Sequence, residues 1–245
     1  TNIAGNKRPW NGVDYTEFTV AQKRKIRAHY AASVIQIDDE VGQIVQKLEE
    51  KGLLENTVII FSSDHGDYLG DHNLIGKSTF YETGIRVPLI VSGPGIQASV
   101  KRDEKVILTD VMPTILAYAG CDRPAYVDAI VLPGLGFPSA DNRDYIYGAT
   151  GGGWMIDDGT YKLSIYATGE YVLYNLGEDP LEQHNLYMHP AYIDIRTQLE
   201  IELIRYVMQS MKIAHEDHRV YVSDLSQKPA FGREGWNRPF PRHIA

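Results

Sequence analysis

The run Thr57-Val58-Ile59-Ile60-Phe61 constrains this chain more than any other feature. Consecutive β-branched and aromatic residues suit a strand covered on both faces, and such strands belong to parallel sheets. Upstream, Ile26, Tyr30, Val34, Ile37, Val41, Ile44, Val45 and Leu48 recur at three and four residues, which predicts a long helix with one buried stripe. Gly52 is placed to cap its end. Helix followed by buried strand points to an α/β fold with a mainly parallel sheet. Residues 87–91 read as a second strand, closed by Ser92-Gly93-Pro94-Gly95. Residues 109–119 read as a helix with Pro113 in its first turn and Gly120 as its cap.

The second half changes character. After a Gly- and Pro-rich excursion over residues 121–142, short strand-like runs at 145–147, 154–156, 161–166 and 171–176 alternate with Gly, Asp and Asn turns. They predict a small antiparallel sheet, and residues 193–211 carry helical spacing through Leu199, Leu203 and Val207. The opening segment to Glu17, with Pro9 and Trp10, and the tail after Ser223, with Trp236 and Phe240, show no regular period.

Composition narrows the functional classes. A net charge of -8 over 245 residues argues against nucleic acid as a partner, since binding to a phosphate backbone needs clustered Lys and Arg. The single cysteine, Cys121, excludes an intrachain disulfide and a thiolate zinc cluster. No apolar stretch reaches the ~18 residues of a membrane span, and localisation stays open.

The chemistry gathers in Ser63-Asp64-His65-Gly66-Asp67-Tyr68-Leu69-Gly70-Asp71-His72, directly after the strand. Open α/β sheets bind ligands beyond the carboxyl ends of their strands, where Asp64 and His65 fall. Gly66 permits a sharp turn, so a carboxylate and an imidazole can reach one cation, and the ammonium of Lys77 could neutralise an anionic oxygen nearby. Spacing alone equally suits a solvated turn in which Asp bonds its own backbone. Taken singly, His72 and Lys77 read as surface or capping residues, and Asp38-Asp39 as a solvated helix face.

The stretch from Asn56 through Ser63-Asp64-His65-Gly66, with Leu69-Gly70-Asp71-His72 and Gly76-Lys77, resembles the metal-binding region of sulfatases, in the alkaline phosphatase superfamily. The helix with Tyr30-Ala31-Ala32-Ser33 and Asp38-Asp39, the run Thr83-Gly84-Ile85-Arg86-Val87-Pro88, and Thr109-Asp110-Val111-Met112-Pro113-Thr114 resemble neighbouring blocks in order. Asp158-Gly159-Thr160-Tyr161-Lys162-Leu163, Leu173-Tyr174-Asn175-Leu176 and Asp179-Pro180 with Glu182 are similar to the family's terminal sheet. The resemblance covers residues 25–190. It implies that Asp64 and His65 ligate a divalent cation, calcium in the usual case with manganese or zinc as alternatives. It further implies that Lys77 contacts a sulfate oxygen and that His72 lies on the substrate side.

The family's formylglycine nucleophile arises from Cys or Ser in a C-x-P-x-R type motif. Cys121-Asp122-Arg123-Pro124-Ala125 does not match it, so the resemblance implies a C-terminal half that lacks the nucleophile and a further Asp pair. Such a chain alone is expected to be inactive and to associate with the missing N-terminal half or with itself. The expected architecture is an alkaline phosphatase-like sandwich: residues 1–140 in the α/β part, 141–222 in the antiparallel sheet with its helix, and 223–245 as irregular tail. Three readings follow: a sulfuric ester hydrolase acting on a small sulfate ester, a phosphonate monoester or phosphodiester hydrolase of the same superfamily, and a noncatalytic α/β interaction module.

Overall fold

The computed structural model describes residues 17–123, 129–137 and 143–217. The opening segment with Trp10, parts of the 121–142 excursion and the tail with Trp236 and Phe240 lie outside these residues. The chain forms two compact units, Thr1–Arg196 and Thr197–Ala245.

Helix α1 spans Val20–Glu50. Its start is set by a capping box: the Thr19 hydroxyl accepts the Gln22 N–H at 3.2 Å, and the Gln22 side chain accepts the Thr19 N–H at 2.8 Å. At its end Gly52 takes φ 65, while its N–H reaches Glu49 and that of Leu53 reaches Leu48, a Schellman closure. The predicted stripe, however, is not buried: Tyr30, Val34, Ile37 and Ile44 are 44, 49, 53 and 62% exposed. The stripe borders a cavity of about 1190 Å³ whose other wall includes Ile59 and Phe61. The helix and strand thus face each other across a gap instead of packing.

Strand β1 (Ile59–Ser62) pairs antiparallel with β2 (Leu89–Ser92), from Ile59 opposite Ser92 to Ser62 opposite Leu89. This corrects the expected parallel arrangement, which none of the described strands adopts. A parallel return needs a crossover element able to lie across the sheet. The connection here holds only a three-residue 3-10 turn, Asp71–Asn73, and a four-residue helix, α2 (Glu82–Ile85).

Helix α3 (Val111–Tyr118) starts beside the fully buried Asp110. Arg143 pairs with that carboxylate in two hydrogen bonds of 2.6 and 2.8 Å, and the N–H groups of Ile107 and Ile130 donate to it at 2.8 and 3.0 Å. Thr114 adds a hydroxyl donated to the Asp110 carbonyl and accepts the Leu132 N–H.

The predicted small sheet is present as an antiparallel meander, β3 (Ile146–Thr150), β4 (Gly153–Asp157), β5 (Tyr161–Tyr166) and β6 (Tyr171–Asn175), in spatial order β3-β4-β5-β6. Its Met155, Tyr166, Val172 and Tyr174 form one buried cluster with Tyr68, Leu74, Phe80 and Tyr81. The loop after β1 is therefore part of this sheet's core. Helix α4 (Ile193–Asp217) follows, with Leu199 and Leu203 buried. Among the described residues no helix is long and apolar enough to cross a membrane.

Arg143→Ala strands the buried Asp110 charge, so it should lower unfolding free energy by about 3–5 kcal/mol, measured by urea denaturation.

Candidate functional site

Asp64 leaves the end of β1 with its side chain 82% exposed. Its Oδ1 accepts the His65 N–H at 3.0 Å, and its Oδ2 lies 3.2 Å from His65 Nε2. Desolvation tends to raise the Asp64 carboxyl pKa, but His65, backbone N–H donation and Lys77 together outweigh it and hold the value below the ordinary one. The imidazole of His65 has a defined polarity. Its Nδ1 lies 2.8 Å from the Gly66 carbonyl, which can only accept, so Nδ1 carries the proton. In the neutral ring Nε2 then presents a lone pair, and the Lys77 ammonium donates to it. Fixing the remote ring nitrogen on a backbone carbonyl is how proteins orient an imidazole for a cation.

Lys77 returns to His65 because the intervening loop is tied to itself. Asp67 Oδ1 accepts the N–H groups of Leu69 at 2.8 Å and Gly76 at 3.2 Å, and the Tyr68 N–H donates to the Gly76 carbonyl. On the far side, the buried Tyr68 hydroxyl accepts the Thr79 N–H and pairs with the Thr79 hydroxyl, each at 2.7 Å. Gly66 closes the turn by donating to the Gly84 carbonyl at 2.9 Å. A β-carbon at position 66 would collide with the Thr83 carbonyl, so only glycine fits this approach.

Asp64, His65 and Lys77 are thus brought together, while the other candidates in the motif are used differently. Asp67 latches the loop, and Asp71 forms an ion pair with Arg27 at 2.5 Å. His72 stacks on Tyr81 with ring centroids 3.7 Å apart, and among the described residues no hydrogen bond or ring contact joins it to Asp64, His65 or Lys77. Burial lowers the His72 pKa against the opposing charge of Asp71. Asp64 and His65 Nε2 offer two donors to a cation. Among the described residues no three His, Cys, Asp or Glu side chains are grouped to hold a metal. Calcium takes six to eight oxygens, so these residues fit only part of a shell.

Sequence reasoning did not single out the buried ionic group behind this loop. Lys162, 1% exposed, lies 2.6 Å from Glu82 Oε1 and 2.9 Å from Glu182 Oε1, the latter as an ion pair without hydrogen-bond geometry. Asp157 stands opposite Lys162 across β4 and β5. Burial raises the pKa of both Glu182 and Asp157, with Lys162 acting against it. A lysine between Tyr161 and Leu163 in a strand-like run was the available signal.

Residues 5–121 match the family model described as Sulfatase. An arylsulfatase of Clostridium perfringens is 34% identical over 179 residues, covering 69% of this chain and 37% of that protein. The multifunctional alkaline phosphatase superfamily protein PehA of Trinickia caryophylli is 34% identical over 193 residues, with 69% and 38% covered. Among solved structures, BT4656, in complex with its substrate D-glucosamine-2-N,6-O-disulfate, superposes with a TM-score of 0.66 at 27% identity, covering 77% of this chain and 41% of that one. These likenesses define a family of hydrolases. The chain belongs to the sulfatase family. It spans a little over a third of the length of the curated relatives it matches.

Because Glu182 has a raised pKa when folded, its stabilising contribution is complete below its ordinary value of 4.5 and is lost as pH rises through the raised one. The stability advantage of wild type over Glu182→Gln should therefore shrink as pH is raised from about 4 to about 8, read from urea unfolding at each pH.

Proposed function

We propose that this chain supplies the C-terminal part of a sulfuric ester hydrolase site. Asp64 and His65 take part of the shell of a divalent cation, calcium first with manganese or zinc as alternatives. Lys77 binds a non-bridging sulfate oxygen, and His72, fixed on Tyr81 in the same loop, lies on the substrate side. The observation that carries this reading is the meeting of the Asp64 carboxylate, the Nε2 lone pair of His65 and the Lys77 ammonium at the end of β1.

The Lys77 ammonium meets the imidazole nitrogen that a cation would use. An anionic oxygen placed there would draw Lys77 away and leave Nε2 free, so sulfate and cation would be accommodated together. When bound, the cation would stabilise charge on the ester's non-bridging oxygens. Lys77 adds a donor of fixed charge to the same oxygens, and the Gly66 carbonyl keeps the His65 ring in one orientation. The formylglycine nucleophile and the remaining acidic ligands are assigned to a portion of the enzyme other than these 245 residues, because neither Cys121 nor any serine among them begins a motif of the C-x-P-x-R type. That portion, or a second copy of the chain, is the proposed partner.

The phosphonate monoester or phosphodiester reading stays beside the first because PehA, similar over most of this chain, is described as multifunctional. Both ester classes present a tetrahedral centre with anionic oxygens, which the same cation and lysine would contact.

In the enzyme that contains this chain, Lys77→Ala should lower kcat/KM for an aryl sulfate by about 10²–10³-fold. Aryl sulfate preferred over aryl phosphonate supports the first reading, and the reverse preference supports the second. Turnover by the purified 245-residue chain alone would contradict the assignment of the nucleophile elsewhere.

A further inference from the structure

Alternate residues of a strand share a side, so β5 presents Lys162, Ser164 and Tyr166 on one face, and all three are buried. Lys162 and Tyr166 are four residues apart, about 13 Å along the strand. Each holds the segment that follows Lys77. The Lys162 ammonium donates to Glu82 at 2.6 Å, and the Tyr166 hydroxyl accepts the Phe80 N–H at 3.1 Å. Glu182 closes the grip: its Oε2 accepts the Glu82 N–H at 2.7 Å. It does so from φ 54, a left-handed conformation that non-glycine residues seldom adopt. A buried ion pair is seldom more stabilising than apolar side chains of the same volume. Fixing a register is the better-supported reason to keep one.

From residues 80–82 the constraint reaches the site through contacts already in place. The Gly84 carbonyl accepts the Gly66 N–H, and the Thr83 carbonyl abuts Gly66. Lys77 itself lies between Gly76, tied to Asp67 and Tyr68, and Thr79, tied to the Tyr68 hydroxyl. Ser78, between them, is held at φ 112. Thr79 leads directly into Phe80 and Glu82, which Tyr166 and Lys162 of β5 hold.

We propose that β5 is the platform that sets the spacing between Lys77 and His65, with Lys162, Glu82 and Tyr166 as positioning residues for the anion-binding lysine. The anion-binding role rests on the function proposed above, but the positioning does not. The test uses the full chain, with two readouts by NMR: the nuclear Overhauser contact between the His65 ring and the Lys77 side chain, and a titration with inorganic sulfate. Glu82→Ala removes the side-chain bond to Lys162 while leaving the Lys162–Glu182 pair and the bond from the backbone N–H of residue 82 to Glu182. It should remove the His65–Lys77 contact and raise the sulfate dissociation constant about tenfold, whereas Glu82→Gln, which can still accept from Lys162, should keep both within about twofold. Tyr166→Phe removes the second hold with little change of volume, and should weaken the same contact even if Glu82→Ala fails to fold. An unchanged His65–Lys77 contact in Tyr166→Phe and in any folded Glu82→Ala would overturn the proposal. If the contact changes as expected but wild type shows no response to sulfate, positioning by β5 stands and the anion-site reading fails.

Discussion

The approach of Gly66 to the backbone of Thr83 and Gly84 is the constraint on which the rest of the site depends. Two main-chain segments can touch in this way only where one residue has no β-carbon, and the hydrogen bond from Gly66 to Gly84 makes the contact specific. It joins the end of β1, which carries Asp64 and His65, to α2, which is gripped from behind by the small sheet. The loop between them is free only to return Lys77 to His65, since Asp67 and Tyr68 bind its two ends. A strand end, a helix of one turn and a four-stranded sheet thus act as one frame for three side chains.

How much of this was legible depended on whether the information was local. The grouping of Asp64, His65 and Lys77 came from the family resemblance, since their spacing alone equally suited a solvated turn, while a glycine at 66 advertises a tight turn. The C-terminal glycine caps of α1 and α3, Gly52 at φ 65 and Gly120 at φ 68, and the four strands of the small sheet were legible for the same reason: capping and turn chemistry operate over a few residues. Pairing direction was not, because an apolar run such as residues 57–61 records that a strand is covered and leaves the neighbour's orientation open. The α1 stripe gave the helix correctly but overstated its burial, since periodicity reports which face is apolar and says nothing of what meets it.

Asp67 and Asp71 show the limit from the other side. Both have the right chemistry for a cation, yet one latches the loop and the other pairs with Arg27 from α1. Residue type fixed what they could do, and the fold chose among the uses. The Lys162, Glu82 and Glu182 group was hidden more deeply, because its members are separated by 80 and 100 positions in pairs that only tertiary structure assembles. The Lys162–Glu82 bond and the Glu182 bond to the Glu82 N–H tie the small sheet to the loop that carries Lys77.

The Asp64 carboxylate, His65 Nε2 and the Lys77 ammonium meet at the end of β1, and we propose that cation and anion meet there. Manganese titrated into the isotope-labelled chain in the presence of sulfate tests it directly, because the paramagnetic ion broadens the resonances nearest to it. With so few donors, binding should be weak, on the order of millimolar. The expected result is broadening centred on Asp64 and His65 that is lost in His65→Ala. Broadening spread over the surface carboxylates, with no excess at His65, would contradict it.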